Sequence, residues 1–226
     1  MKNKGVTVLG IVWRFVIAIP VMLVIMLWPA GSWYFYEAYI YTGVQMCFSG
    51  FLAIWLYKNN KRLLEERLKK EMPKECYEKI MAGPFFLSMV AIPVVAGFDF
   101  RFGWSEMCLY WQILGGGLFL VSAILMFLVM RENTFLALTT KVQDDHKVIS
   151  TGPYSVVRHL MYSSVLMMMP GISLLLGSFC ALIPSVIAVG LLLIRTYFEE
   201  ATLKKELKGY EEYSKKVSSR VIPYVW

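Results

Sequence analysis

Two short polar segments of the sequence carry residues that could do chemistry, and both interrupt strongly apolar surroundings. The first, TGPYSVVRHLMYSS at residues 151–164, combines a turn, two tyrosines and an Arg-His pair within fourteen positions. The chain has only two histidines, His146 and His159, and both lie in or next to this segment. Imidazole, phenol and guanidinium groups offer hydrogen bonds and aromatic faces to a polar cofactor. The segment is therefore a candidate binding site.

The second segment begins with Arg195, and Glu199 follows four positions later. This spacing puts both side chains on one helix face, with Glu200 one step round. An arginine and two glutamates at the end of an apolar run are costly unless they have partners or a task. Taken alone, the segment is also explained by an ordinary helix end whose long side chains reach the lipid headgroups.

The elements that must position these segments are membrane-spanning helices. The sequence is 58% hydrophobic, and a hydrocarbon core of about 30 Å needs roughly 20 apolar residues per helix. Four apolar runs fit one span each, and a fifth fits two spans with a turn near residues 176–179. The runs are 6–28, 38–57, 80–97, 107–130 and 160–196. The sequence therefore predicts an all-α polytopic integral membrane protein with about six transmembrane helices, the last two forming a hairpin.

The basic residues predict the orientation of these spans. The formal net charge is +7, and with six spans all 23 lysines and arginines except Arg101 fall on one side. The positive-inside rule assigns that side, and with it both termini, to the cytoplasm. The positive charge then reflects topology and attraction to anionic membrane lipids. It predicts no nucleic-acid partner.

The charged loop at residues 58–79 is predicted to be an amphipathic helix on the cytoplasmic surface. Its leucines Leu63, Leu64 and Leu68 share one helical face, as in helices that lie in the plane of a membrane interface. A gate for substrate or lipid is the alternative interpretation of the same pattern.

Other patterns in the sequence argue against metal or nucleotide-loop chemistry. The three consecutive glycines at 115–117 lie inside an apolar run with no preceding strand, so they predict close helix packing. The four cysteines form no C-x-x-C pair and predict neither a zinc site nor disulfides. Asp144 and Asp145 beside His146 lack a second histidine or a cysteine at ligand spacing. No metal is predicted.

Together the two polar segments resemble a known enzyme family. His146, Gly152, Tyr154, Arg158, His159 and Tyr162 reproduce the spacing of H-x-[LV]-[VI]-[TS]-x-G-x-Y-x-x-x-R-H-P-x-Y. This signature belongs to the isoprenylcysteine carboxyl methyltransferase family and its phospholipid methyltransferase-like relatives. The R-x-x-x-E-E pattern at 195–200 and the R-V-I-P ending at 220–223 resemble the family's C-terminal motif. One departure is Leu160, where the family has proline.

The resemblance covers about residues 131–226, and the first four spans match only as hydrophobic helices. It implies that residues 1–130 form a transmembrane scaffold and that residues 131–226 form the cofactor-binding half. The family binds S-adenosylmethionine without a Rossmann domain, in a cytoplasmic pocket built by the C-terminal half. The implied cofactor-binding residues are His146, Val148, Gly152, Tyr154, His159, Tyr162, Glu199, Glu200 and Tyr213.

The catalytic residues predicted from this resemblance are Arg195 and Glu199. Methyl transfer is an in-line displacement, so the enzyme mainly aligns donor and acceptor and excludes water. Arg195 is expected to hold the carboxylate of the acceptor, and Glu199 to orient the guanidinium. The expected partners are membrane lipids and a lipophilic or lipidated acceptor that enters sideways between the spans.

Three functional interpretations stay open. The leading one is an S-adenosylmethionine-dependent membrane methyltransferase of the isoprenylcysteine O-methyltransferase type, with a phospholipid amine or a thiol as alternative acceptors. An amine would need deprotonation before attack. The second is a membrane enzyme resembling the sterol reductases that use NADPH, against which the Glu-Glu pair and the His146 element argue. The third is a scaffold or transporter without catalysis, which leaves the polar segments unexplained.

Overall fold

The computed structural model describes residues 7–68, 75–133 and 148–226. Within these ranges the chain forms eight α-helices and no strand. The helices are α1 (Val8–Ala30), α2 (Tyr36–Asn59), α3 (Lys61–Leu68), α4 (Cys76–Phe102), α5 (Leu109–Glu132), α6 (Leu160–Leu175), α7 (Leu182–Glu206) and α8 (Tyr210–Lys216). A short 3-10 turn at Gly152–Ser155 precedes α6. The predicted all-α architecture of a polytopic membrane protein is confirmed.

Five of the helices are long and apolar enough to cross a membrane. They are α1, α2, α4, α5 and α7, with 23 to 27 residues each. The sixth predicted span is α6, which has only 16 residues and therefore rises about 24 Å. It starts directly after the Arg158-His159 pair, inside the first polar segment, and its turn begins at Leu176, close to the predicted position. Since α6 is buried among other helices along much of its length, protein contacts rather than lipid thickness set its extent.

Helix α6 is packed most closely against α5, where two glycines remove the side chains that would separate the helices. A Cβ atom on Gly115 would lie 2.5 Å from the backbone nitrogen of Leu175. A Cβ atom on Gly171 of α6 would lie 3.0 Å from the backbone nitrogen of Phe119. The prediction of close helix packing at 115–117 is thus confirmed at Gly115.

The loops at one end of the bundle are tied together by polar side chains. Asp99 near the end of α4 accepts hydrogen bonds from the hydroxyl groups of Ser105 and Ser178. The side-chain amide of Gln112 on α5 donates to Glu37 on α2 over 3.2 Å. These contacts fix the α6–α7 turn against its neighbours. The other end of the bundle holds α3, α8 and both polar segments of the sequence.

The leucine face of α3 packs on protein. Leu63 and Leu64 are buried against Leu56 of α2 and Met130 of α5. These two leucines therefore pack over the ends of α2 and α5. Residues 69–74 of the predicted amphipathic segment 58–79 lie outside the described residues.

We expect Gly115→Ala to destabilise the protein and Gly117→Ala to be nearly neutral. The new methyl group at position 115 would meet the α6 backbone, and overpacking of this kind costs about 1–3 kcal/mol. Gly117 has nothing within 4 Å of the corresponding position. Thermal unfolding of both variants in the same detergent tests this, and equal melting temperatures would contradict the close α5–α6 contact.

Candidate functional site

The two polar segments of the sequence meet through backbone hydrogen bonds. The amide of Arg158 donates to the carbonyl of Ser219 over 3.1 Å, and the amide of His159 donates to that of Arg220 over 2.8 Å. The hydroxyl of Ser163 donates to the carbonyl of Val221. The C-terminal segment, residues 217–226, therefore lies along the start of α6 and holds it in place.

Leu160 occupies the position at which the family has proline. It is the first residue of α6, where a proline would be tolerated because the amide there has no partner inside the helix. Its side chain is buried with Val129, Tyr154 and Val157. The helix begins at Leu160 without a proline, and the leucine side chain adds apolar contacts to the 3-10 turn.

Glu200 is the centre of a buried charge network. Its Oε1 atom lies 2.7 Å from Nη2 of Arg158 and 3.4 Å from Nζ of Lys204. Its Oε2 atom lies 2.7 Å from Nε of Arg220. The side chain is only 4% exposed, so both oxygens are engaged and shielded. The role of Glu200 as a cofactor ligand stays a prediction; in this structure its carboxylate is paired with three cations of the protein.

Arg158 uses its remaining donors to bind the end of α8. Its guanidinium donates to the backbone carbonyls of Ser214, Val217 and Ser218. Arginine has several donors in a fixed planar arrangement, which lets one side chain satisfy carbonyls and a carboxylate together. Arg158 therefore joins α7, α8 and the C-terminal segment.

The predicted catalytic residues lie together with two predicted cofactor residues. The hydroxyl of Tyr162 donates to Oε2 of Glu199, and Nε of Arg195 lies 4.0 Å from the same oxygen. The guanidinium of Arg195 lies over the Tyr162 ring, 5.9 Å from its centroid. The His159 ring stacks on the ring of the same Tyr162, with 5.7 Å between the ring centroids. The sequence analysis placed all four residues in the site.

Glu78 is a residue of this cluster that the sequence analysis missed. It lies in the first turn of α4, and its Oε1 atom is 2.9 Å from Nη2 of Arg195. The side chain is 3% exposed. Arg195 is thus closer to Glu78 than to Glu199, its predicted partner. An acidic residue at the start of an apolar run was the available signal, but its partner lies 117 positions away in the sequence.

A small cavity lies between α4 and α7 beside this ion pair. Its volume is about 30 Å³. It is lined by Glu78, Met81, Ala82, Phe85, Leu191, Leu192 and Arg195. Two ionic groups and five apolar side chains therefore border the same space.

Tyrosines of the 3-10 turn and of α8 form a second group of site residues, next to the cluster around Arg195 and Glu199. The hydroxyl of Tyr213 donates to the backbone carbonyl of Tyr154 over 2.6 Å. Tyr210, which was not predicted as a site residue, lies 3.3 Å from Nε2 of His159 through its hydroxyl and packs edge-on against Tyr213. Val148 packs against the same α8 cluster. Tyr210 thus connects the two groups of predicted residues.

Gly152 lies at the edge of this arrangement in a backbone conformation that favours glycine. Its φ angle is +56°, and a Cβ atom there would lie 3.3 Å from the carboxyl carbon of Glu132. Thr151 donates a hydrogen bond to the same carboxylate. The glycine is therefore needed for the turn beside the end of α5. His146, another predicted cofactor residue, lies outside the described residues.

The site keeps its imidazole and phenol groups neutral. Burial lowers the pKa of His159, and Arg158 and Arg220 act in the same direction, while Glu199 and Glu200 oppose it. Burial raises the pKa of Tyr154 to about 12 and raises the pKa values of Tyr210 and Tyr213. Fixed charge in the site therefore resides on its arginines and glutamates.

These residues fit S-adenosylmethionine in one respect that can be read from the structure. The side chain of Glu199 is 18% exposed, unlike that of Glu200, so it can accept hydrogen bonds from the ammonium group of an amino acid. The neutral ring of His159 adds no positive charge against a sulfonium. Among the described residues, no group of three or more His, Cys, Asp or Glu side chains is placed to hold a metal ion.

Comparison with known proteins finds a family similarity for the part of the chain that carries most of this site. Residues 110–209 match the family model described as phospholipid methyltransferase. A search of curated proteins gives no match. The matched residues include Tyr154, His159, Tyr162, Arg195 and Glu199. The match confirms the predicted relation to this family of membrane methyltransferases and supports methyltransferase activity.

We expect Arg158→Ala to destabilise the protein strongly. Removing one partner of a buried ion pair costs about 3–5 kcal/mol, and here three backbone carbonyls lose their donor as well. The matched control is Lys215→Ala, which breaks the exposed ion pair with Glu211 and should change stability little. Equal thermal stability of the two variants would contradict the structural role of Arg158.

We also expect His159 to make stability depend on pH. Its pKa is lowered in the folded state, whereas the unfolded chain takes up a proton near about pH 6.5. The stability from neutral His159 is therefore fully present above that pH and is lost as the pH falls toward the folded pKa. The melting temperature should drop more between pH 7.5 and pH 5.5 in the wild type than in His159→Gln. Identical drops would exclude this contribution.

Proposed function

We propose that the protein is an S-adenosylmethionine-dependent methyltransferase that acts on a lipophilic acceptor at the membrane boundary. The observation that carries this proposal is that Arg195 contacts Glu199 and Tyr162 and also lines the α4–α7 cavity. Such a position allows a polar cofactor and an apolar acceptor to approach the same guanidinium from different directions.

The cofactor would be held by the residues predicted for it that have access and suitable chemistry. Glu199 would bind the ammonium group, and His159 and Tyr162 would contribute hydrogen bonds and aromatic surface. Tyr154, Val148, Gly152 and Tyr213 lie on the adjoining surface. When bound, S-adenosylmethionine supplies a methyl group activated by the sulfonium charge.

The protein's own task is then alignment of the acceptor and exclusion of water. Arg195 cannot rotate freely, because Glu78 and Glu199 flank its guanidinium at 2.9 and 4.0 Å. The apolar side chains of Phe85 and Leu192 border the cavity at the same place. A fixed head-group position beside apolar side chains favours the alignment that a bimolecular transfer requires.

Two acceptor classes have support. The carboxylate of a lipidated cysteine is suggested by the motif resemblance and by the guanidinium of Arg195. A phospholipid amine is suggested by the description of the matching family. In either case the apolar part of the acceptor would remain among the spans.

The proposed orientation places the site and both termini in the cytoplasm. The polar ends of α3, α7 and α8 carry eight of the 23 basic residues, and the positive-inside rule assigns them to that side. In the proposed division of the chain, residues 131–226 provide the cofactor surface, and residues 1–130 provide the scaffold together with Glu78.

We expect calorimetric titration of S-adenosylhomocysteine into the purified protein to show one saturable site. Glu199→Gln should weaken binding by about tenfold or more, the amount expected for loss of a charged hydrogen bond. Arg195→Gln should bind normally but fail to transfer the methyl group. The control Glu106→Gln changes an exposed carboxylate between α4 and α5 and should leave binding unchanged.

NADPH is the parallel titrant in this experiment. Binding of NADPH without S-adenosylhomocysteine would move the protein to the reductase interpretation. Binding of neither ligand to folded protein would contradict the proposed function.

A further inference from the structure

Tyr210 is a buried residue of α8 whose hydroxyl group reaches a histidine of the candidate site. Its side chain is only 5% exposed, and its Oη atom lies 3.3 Å from Nε2 of His159. The two residues are 51 positions apart in the sequence, so the packing of α8 beside the start of α6 brings them together. Within the described part of the chain, this is the one hydrogen bond of the Tyr210 hydroxyl. The contact therefore bears on where the His159 ring carries its proton.

The His159 ring is held in place by three contacts. The backbone amide of His159 donates to the carbonyl of Arg220, the ring lies within 4° of parallel to the ring of Tyr162, and Nε2 meets Tyr210. The other ring nitrogen, Nδ1, makes no hydrogen bond to a described residue. It is also not enclosed like the few buried polar atoms of the described chain that lack a partner. Nδ1 is therefore fixed in position and accessible.

Both partners of this contact are neutral. Burial lowers the pKa of His159 and raises the pKa of Tyr210, so the imidazole holds a single proton and the phenol keeps its own. A neutral imidazole carries its proton either on Nδ1 or on Nε2. Two arrangements of the contact follow, one in which Tyr210 donates to Nε2 and one in which Nε2 donates to Tyr210.

The two arrangements differ in which donor is left without a partner. If Nε2 donated, the hydroxyl proton of Tyr210 would have to point elsewhere in a buried place, where no other described group accepts it. If Tyr210 donates, the ring proton lies on the accessible Nδ1. A buried donor without an acceptor is costly, whereas an accessible donor can bond to water or to a ligand. The hydrogen-bond network therefore favours the tautomer with the proton on Nδ1.

We propose that Tyr210 is a positioning residue of the candidate site: its hydroxyl donates to Nε2 of His159 and so keeps the proton on Nδ1, where it donates a hydrogen bond to the bound cofactor. The inference rests on the proposed function, because it describes how the same site holds S-adenosylmethionine. An uncharged donor suits this cofactor, since it binds an acceptor atom without adding positive charge near the sulfonium. The competing explanation is that Tyr210 only packs α8 against its neighbours.

The tautomer can be measured directly, because the chain contains only two histidines, His146 and His159. Solid-state nitrogen NMR of the full-length protein, with isotope-labelled histidine and in phosphatidylcholine vesicles, distinguishes a protonated ring nitrogen from an unprotonated one. The protein is purified through a histidine-free tag, and the variant His146→Gln assigns the signals. At neutral pH, His159 of the wild type should show a protonated Nδ1 and an unprotonated Nε2. A protonated Nε2 would overturn the proposal.

Variants separate the hydroxyl group from the packing of the ring. Tyr210→Phe removes only the hydroxyl, and His159 should then shift toward the tautomer with the proton on Nε2, which free histidine prefers in water. Tyr213→Phe is the matched control on the same helix, because its hydroxyl donates to the carbonyl of Tyr154. It should keep the proton on Nδ1. An unchanged tautomer in Tyr210→Phe, or equal shifts in both variants, would contradict the role of Tyr210.

Titration of S-adenosylhomocysteine tests the bond to the ligand. Saturation should move the Nδ1 signal of the wild type, and Tyr210→Phe should weaken calorimetric binding by about threefold to tenfold, as expected for one hydrogen bond. In a His159→Phe background, which keeps an aromatic ring next to Tyr162, the same substitution should cause no further loss. A further loss of equal size would show that Tyr210 acts through packing and would overturn the proposal.

The same samples distinguish failure of this inference from failure of the proposed function. Normal binding of S-adenosylhomocysteine to a wild type that carries the His159 proton on Nε2 would refute the inference and leave the proposed function intact. Absence of binding would refute the proposed function, and with it the donor role of Nδ1 toward this cofactor. The tautomer in Tyr210→Phe would still decide whether Tyr210 places the ring proton.

Discussion

The buried carboxylate of Glu200 is the interaction on which the arrangement of the site depends. Four chain segments meet there, because Arg158 precedes α6, Lys204 and Glu200 belong to α7, Arg220 follows α8, and Arg158 also holds the carbonyls at the end of α8. Burying these charges is costly unless each has a partner. The network therefore disfavours arrangements in which the C-terminal segment lies elsewhere, and it determines where Glu199, one residue earlier, points its carboxylate.

The adjacent glutamates show how one helix can serve structure and chemistry together. Glu200 faces inward to the cations of the protein, whereas Glu199 faces Tyr162 and Arg195 and keeps part of its surface in water. A step of one residue turns a helix by about 100°, so the two side chains meet different environments. Neighbouring carboxylates of one motif thereby take on separate tasks.

Local patterns predicted much of the fold and part of the site. The long apolar runs predicted the membrane helices because spanning a bilayer needs length and apolarity, both visible in one segment. His159, Tyr162 and Glu199 could be predicted as site residues, because the residue spacing within the two polar segments resembles the motifs of the family. The partner of Arg195 could not be predicted in this way, since Glu78 comes from α4 and only the packing of α4 on α7 brings them together. The short length of α6 could not be predicted either, because one uninterrupted apolar run in the sequence contains two helices and their turn.

The shortness of α6 bears on how deep the chemistry lies. Its first turn is level with Glu199 of α7, yet α7 continues to Glu206, about 10 Å beyond Glu199. Irregular backbone at such depth is tolerated only where protein or a water-filled recess surrounds it. The backbone of the polar segment before α6 is enclosed in this way, since the amides of Arg158 and His159 are bonded to the C-terminal segment. Under the proposed function, this arrangement would let the head group of a membrane-bound acceptor meet the cofactor without leaving the bilayer.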